Sequence, residues 1–162
     1  MNTRTQTTGV VVAGVMLLAL LTHDEGTRYK PYKDIGGVWT VCQGHTGPEV
    51  IPGKTYTKAD CDALLVKNAE RHGQAVLRCT KVPLNQNQYE AFTRFTFNVG
   101  ERAFCKSTLV KKLNAGDYSG ACRELKRWVY VNGKRVNGLV NRRESEYQQC
   151  IKPVDEPREA VA

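Results

Sequence analysis

A chain of 162 residues with 41% hydrophobic and 25% charged side chains suits one folded domain, divisible into two lobes, and excludes wholesale disorder. Its formal net charge of +8 draws it to a polyanion without saying which. Helix-turn-helix, zinc-ligand and aromatic ribonucleoprotein signatures are all missing, so nucleic acid lacks support, whereas the carboxylates and anionic polymers of a bacterial wall suit the charge.

Residues 1–8 are polar, with Arg4 the only charged side chain. Residues 9–21, GVVVAGVMLLALL, are wholly apolar. As a helix they span ~20 Å, short of the ~30 Å hydrocarbon core of a bilayer. No A-x-A-like site marks signal-peptide cleavage, and cutting near Thr22 would remove the helix expected to hold Glu25.

The stretch from 23 to 47 carries the candidate chemistry. Glu25 follows the apolar run and should end a helix. Asp34 stands beside Gly36-Gly37, a tight-turn pair, and Val38, Thr40 and Cys42 alternate with Trp39 and Val41 as in a strand. Helix end, turn and strand can bring two carboxylates and a hydroxyl to one edge of a groove. Glycoside hydrolysis needs such a set, one acid for the leaving oxygen and one carboxylate for the cationic sugar or the water. The blander reading makes these two acids, with Lys30 and Lys33 nearby, a solvated surface loop.

Turns and short strands dominate residues 28–56, a small β lobe whose core Tyr29, Tyr32 and Trp39 should cover, with stacking on sugar as the other reading; His45 reads as structural. Thr57 with Asp60 forms a capping box, opening a helix to about Leu77 with Cys61, Leu64, Leu65 and Ala69 on one face. Asn85 with Gln88 caps a second, whose stripe of Tyr89, Phe92, Phe95 or Thr96, and Val99 is core, ending at Gly100. Ser107 opens a shorter helix ending near Gly116. Asp117 caps another that buries Ala121, Cys122, Leu125 and Trp128 or Val129. Asn132 to Lys134 is a turn, and residues 139–150 make the last helix, with Arg142 and Arg143 near the surface. From Pro153 the tail has no pattern and should be loose.

Six cysteines, Cys42, Cys61, Cys79, Cys105, Cys122 and Cys150, lie far apart with no C-x-x-C pair, which argues against zinc or a thioredoxin-like motif. An even count in a chain with exported character points to three disulfides in an oxidising compartment such as the periplasm. Sequence alone allows all fifteen pairings.

Glu25, Asp34 and Thr40 also fit, with no gap, the Glu-x8-Asp-x5-Thr pattern of phage-type lysozymes, glycoside hydrolase family 24. The chain further resembles that family in GHTG at 44–47, PLNQNQYEAF at 83–92, FNVG at 97–100, STLVKKLNAG at 107–116 and GLVNRRE at 138–144. The likeness covers residues 17–150 or so. It implies an α+β lysozyme-like fold, with a small N-terminal β lobe (about 28–56), a larger all-helical C-terminal lobe (about 57–152) and a cleft between them. It also implies nearest-neighbour disulfides, 42 with 61, 79 with 105 and 122 with 150, and no metal or cofactor. Relatives often carry an Asp where Asn68 stands, which bears on any His45–carboxylate pair.

The implied activity is a muramidase cutting the β-1,4 bond between N-acetylmuramic acid and N-acetylglucosamine of peptidoglycan, lysing a Gram-negative phage host. Glu25 would be the acid, kept protonated by an apolar, partly closed cleft; Asp34 would stay ionised, and Thr40 would hold the attacking water. Two rivals remain, a lytic transglycosylase and a non-catalytic basic wall-binding or membrane-permeabilising protein. Residues 1–22 resemble a signal-anchor-release segment, exported uncleaved, held in the inner membrane through 9–21, then released to the periplasm to fold as the first helix and switch activity on. The alternative for that segment is an ordinary buried helix. Partners then are glycan strands and the membrane, with no nucleic acid, for a monomer of residues 23–152 with a loose tail at 153–162.

Overall fold

The computed structural model describes residues 14–154, so the expectations for residues 1–13 and 155–162, including the first part of the apolar run and most of the tail, lie outside it. Helix α1 (Val15–Glu25) is followed by an antiparallel sheet in the order β1 (Arg28–Lys33), β2 (Trp39–Cys42), β3 (His45–Thr46). Helices α2 (Lys58–Cys79), α3 (Gln86–Val99), α4 (Glu101–Cys105), α5 (Thr108–Asn114) and α6 (Tyr118–Glu124) come next. A 3-10 turn (Leu125–Arg127), a hairpin of β4 (Tyr130–Val131) and β5 (Lys134–Arg135), and helix α7 (Asn137–Ile151) complete the order. The architecture is α+β with its bulk helical, and the hairpin is a small non-helical insert in the helical part.

Local chemistry accounts for the helix boundaries. Thr57 and Asp60 exchange side-chain and backbone hydrogen bonds at the start of α2, as do Asn85 and Gln88 at α3, so two orphan donors are satisfied at each end. Gly26, at φ +68°, ends α1 by donating its N–H to the Thr22 carbonyl. α2 runs two residues past Leu77 to Cys79, and α7 begins at Asn137. The five-residue α4 gave no periodic signal long enough to read.

Three apolar clusters hold the fold. The largest centres on α3, buried at every position from Tyr89 to Thr96, with Phe92, Phe95, Phe104, Leu109, Leu113 and Leu125 fully enclosed. In the second, Leu17 and Leu21 of α1 lie one turn apart and pack on Leu65 and Ala69 of α2. The third joins Val41 and Cys42 of β2 to Val50, Tyr56 and Cys61. The disulfides Cys42–Cys61, Cys79–Cys105 and Cys122–Cys150 have the pairing the family resemblance implied. Among the described residues no helix is long and apolar enough to cross a membrane.

Two expectations are corrected. Tyr29 and Trp39 do not cover the β core: they are 43% and 37% exposed, and the buried cluster of this region is made by Val41, Cys42, Val50, Tyr56 and Cys61 instead. Arg142 and Arg143 are not surface residues. Arg143 is 1% exposed and the Arg142 side chain 9%, both enclosed by the carboxylates described below.

Candidate active site

Glu25 is the last residue of α1, so its direction follows from how that helix is seated. Its side chain is 19% exposed, and Nη2 of Arg142 on α7 lies 2.7 Å from its Oε1, a close ion-pair contact. Its other oxygen, Oε2, is 4.0 Å from where a Cβ on Gly44 would stand, which places the carboxyl beside the β2–β3 turn. Gln43 of that turn donates to Thr27 Oγ1 at 3.0 Å, tying the turn to the residues that follow Glu25.

Asp34 and Thr40 are fastened to a single residue, Val38. Asp34 Oδ1 accepts the Val38 N–H at 2.9 Å, while the Val38 carbonyl accepts the Asp34 N–H at 3.0 Å and the Thr40 hydroxyl at 3.1 Å. Asp34 is therefore exposed but fixed at the tip of the β1–β2 hairpin, and Thr40 is 4% exposed within β2. Because the hydroxyl proton points to Val38, the free lone pair of Thr40 can only accept, as it would from a water. Thr40 pairs with Tyr32 on one side and Thr46 on the other, and Thr46 lies two residues beyond Gly44. The hairpin thus brings Asp34 and Thr40 together directly, and Glu25 meets the same sheet at its β2–β3 end.

The surroundings of Glu25 are more ionic than the apolar setting foreseen. Burial works against the charge of Arg142, but Glu25, Glu146 and Asp24 outweigh it and hold Arg142 above its ordinary value. Arg142 is braced by donating from Nε to Glu146 Oε1 at 3.2 Å and from Nη2 to the Arg94 carbonyl at 3.2 Å. Arg143 donates from Nη1 to both oxygens of Glu146, at 2.8 and 2.7 Å, and from Nε to the Trp128 carbonyl at 3.0 Å. Burial presses Arg143 down and Glu146 up, each resisted by the other's charge. Sequence reasoning missed this cluster. The signals present were the i,i+4 spacing of Arg142 and Glu146 and the Asp24-Glu25 pair at a helix end.

His45 is 5% exposed, with Nε2 3.0 Å from Glu49 Oε1 and Nδ1 2.8 Å from the Asn68 amide nitrogen. The two ring nitrogens thus face Glu49 and Asn68, and His45 ties the β3 turn to α2. The carboxylate comes from the neighbouring turn, with Asn68 supplying the contact from the helix. Among the described residues no three His, Cys, Asp or Glu side chains converge as a metal site would require. Two surface depressions of about 700 and 370 Å³ flank α7, and neither is lined by Glu25, Asp34 or Thr40.

With this geometry in hand, the comparisons converge. A family model described as Phage lysozyme matches residues 22–146. A SAR-endolysin of Bacteriophage PS119 is 44% identical over 144 residues, 88% of this chain and 86% of that protein. Among solved structures, the muramidase domain of SpmX from Asticaccaulis excentricus superposes with a TM-score of 0.80 at 30% identity, covering 86% of this chain and 97% of that one. The active form of the P1 phage endolysin Lyz superposes at 0.75 and 28% identity, covering 85% and 83%. The secreted inactive form of the same protein reaches only 0.50 at 26% identity, covering 64% and 74%.

Proposed function

The chain belongs to the phage lysozyme family, and from that premise we propose that it acts through Glu25, Asp34 and Thr40. It is a phage endolysin with muramidase activity, a lysozyme-type glycoside hydrolase acting on peptidoglycan. Glu25 donates its proton to the glycosidic oxygen as the C1–O bond of N-acetylmuramic acid breaks, freeing the 4-hydroxyl of N-acetylglucosamine. Asp34, exposed at the hairpin tip, is placed to offset the developing oxocarbenium charge. A water whose O–H is accepted by Thr40 attacks C1 from the face opposite Glu25, inverting the anomeric centre, and gives up its proton toward Asp34. Asp34 then releases that proton to solvent, and solvent returns one to Glu25. The observation that carries this reading is the shared grip of Val38 on Asp34 and Thr40, with Glu25 meeting the same sheet across the β2–β3 turn.

Relatives named SAR-endolysin support export to the periplasm by a signal-anchor. In this reading residues 1–22 are the signal-anchor-release segment, holding the protein at the inner membrane through residues 9–21 until release, and residues 23–152 form the lysozyme domain, working as a monomer. Leu17 and Leu21 are buried against α2, so in this reading they must leave the bilayer before that packing forms. The closer likeness to the active form of the P1 endolysin supports the described conformation being the released one.

Mass spectrometry of muropeptides released from purified sacculi in 18O-water tests the chemistry. The expected product is a hydrated reducing-end N-acetylmuramic acid carrying one 18O. An anhydro sugar would instead make the protein a lytic transglycosylase, and clearing with no soluble muropeptide would make it a permeabiliser.

A further inference from the structure

We propose that Arg94 is a positioning residue for Glu25, acting through Asp24 and Arg142. Arg94 sits on α3, 1% exposed, where a guanidinium must find acceptors for its whole donor fork. It grips Asp24, the residue before Glu25, with Nε 3.0 Å from Oδ2 and Nη2 3.3 Å from Oδ1. Its remaining donors reach α7, Nη1 to Gln149 Oε1 and Nη2 to Ser145 Oγ, both at 3.0 Å. Its own carbonyl accepts from Arg142 Nη2, and that nitrogen stands 2.7 Å from Glu25 Oε1. The last two residues of α1 are therefore held by two arginines that are joined to each other. Asp24 is also 4.0 Å from Arg142 Nε, so both cations feel it.

The cluster is complete only when α1 is seated. Arg94, Arg142 and Arg143 face the carboxyl groups of Asp24, Glu25 and Glu146, and all but Glu25 have side chains at most 9% exposed. Withdrawing Asp24 leaves Arg94 with neutral partners and frees Arg142 to shift toward the vacated space. Glu25 would then lose the fixed direction on which a positioned proton donor depends. The Arg94–Asp24 clamp is thus the means by which docking of α1 delivers Glu25 correctly, over and above the apolar contacts of Leu17 and Leu21.

This rests on the reading of Glu25 as the proton donor, and the test separates the two. In the full-length released protein, Arg94→Lys keeps a positive charge but cannot hold Asp24, Ser145 and Gln149 in one plane, and Asp24→Asn keeps the shape without the charge. Both are measured for kcat and KM on soluble peptidoglycan fragments, well below the Tm of each variant. The 13C resonance of the Glu25 carboxyl is recorded alongside. The expected result is a kcat roughly tenfold lower with KM unchanged in each single variant, no further loss in the double variant, and a shifted or broadened Glu25 resonance in all three. A folded Arg94→Lys protein with undiminished kcat, losses that multiply in the double variant, or an unmoved Glu25 resonance would overturn the proposal. Retained activity in Glu25→Gln would overturn the functional reading instead, while the resonance would still decide whether Arg94 positions that carboxyl.

Discussion

Seating of α1 can be tested at Leu21, one turn before Glu25. Leu21 is fully buried and packs with Leu17, Leu65 and Ala69, so Leu21→Ala opens a cavity against α2. Alanine is the best helix former, hence the loss isolates packing from helix propensity. Core Leu→Ala changes cost about 3 kcal/mol or more, which for a chain of this size lowers Tm by about 6–12 °C. Met16→Ala, at a position 63% exposed on the same helix, should stay within about 0.5 kcal/mol of the parent. Calorimetry at neutral pH reads both, with sacculus clearing followed at increasing temperature. Leu21→Ala should lose clearing activity at a lower temperature than global unfolding by circular dichroism, because α1 detaches first. If Leu21→Ala melted within 2 °C or so of the parent, or if Met16→Ala cost as much, α1 would not be packed as described.

Replacing both Cys42 and Cys61 by Ala opens a link spanning 19 residues and should cost about 3 kcal/mol in the chain-entropy account, read as a lower urea midpoint. Activity should fall further than stability explains, since that disulfide fixes β2, which carries Thr40, to α2. Acid should destabilise the fold through groups held low: Asp60 by the Thr57 backbone N–H, Glu124 by a hydrogen bond from Lys112, and Glu144 by one from Gln148. Their folded values lie below the ordinary 3.8 and 4.5, so their contribution is present above those values and lost as pH falls through the folded ones. Asp60→Asn should therefore flatten part of the fall in Tm below pH 4, and an unchanged slope would refute that assignment. Thr40→Val should lower kcat roughly tenfold or more at nearly unchanged Tm, because the Val38 carbonyl keeps its bond from the Asp34 N–H; wild-type turnover would remove Thr40 from the reaction.

What the sequence revealed was local. The capping boxes at Thr57 and Asn85 need residues three apart, and Glu25 closes the apolar run, so those boundaries were readable. The hairpin tip at Asp34 followed from Gly36-Gly37. The disulfide partners, by contrast, came through family likeness, because which cysteines meet is decided by how α2, α4, α6 and α7 pack. Arg142 and Arg143 looked like surface residues because adjacent arginines beside Asn141 and Glu144 usually are. Their partners, Asp24 and Glu25 as nearby charged groups and the carbonyls of Arg94 and Trp128 as acceptors, come from distant parts of the chain and leave no periodic trace. Tyr29 and Trp39 misled for the opposite reason. An aromatic in an alternating strand normally faces a core, but Trp39 shares its face with buried Val41 and stands at the exposed start of β2, beyond the packed cluster.

The account turns on Glu25 as the group that protonates the leaving sugar, and one measurement reaches it most directly. Purified Glu25→Gln protein, shown by circular dichroism to be folded with a Tm near that of the parent, is assayed for muropeptide release from purified sacculi. A proton donor predicts a rate lower by roughly a thousandfold. Release at the parental rate would contradict it.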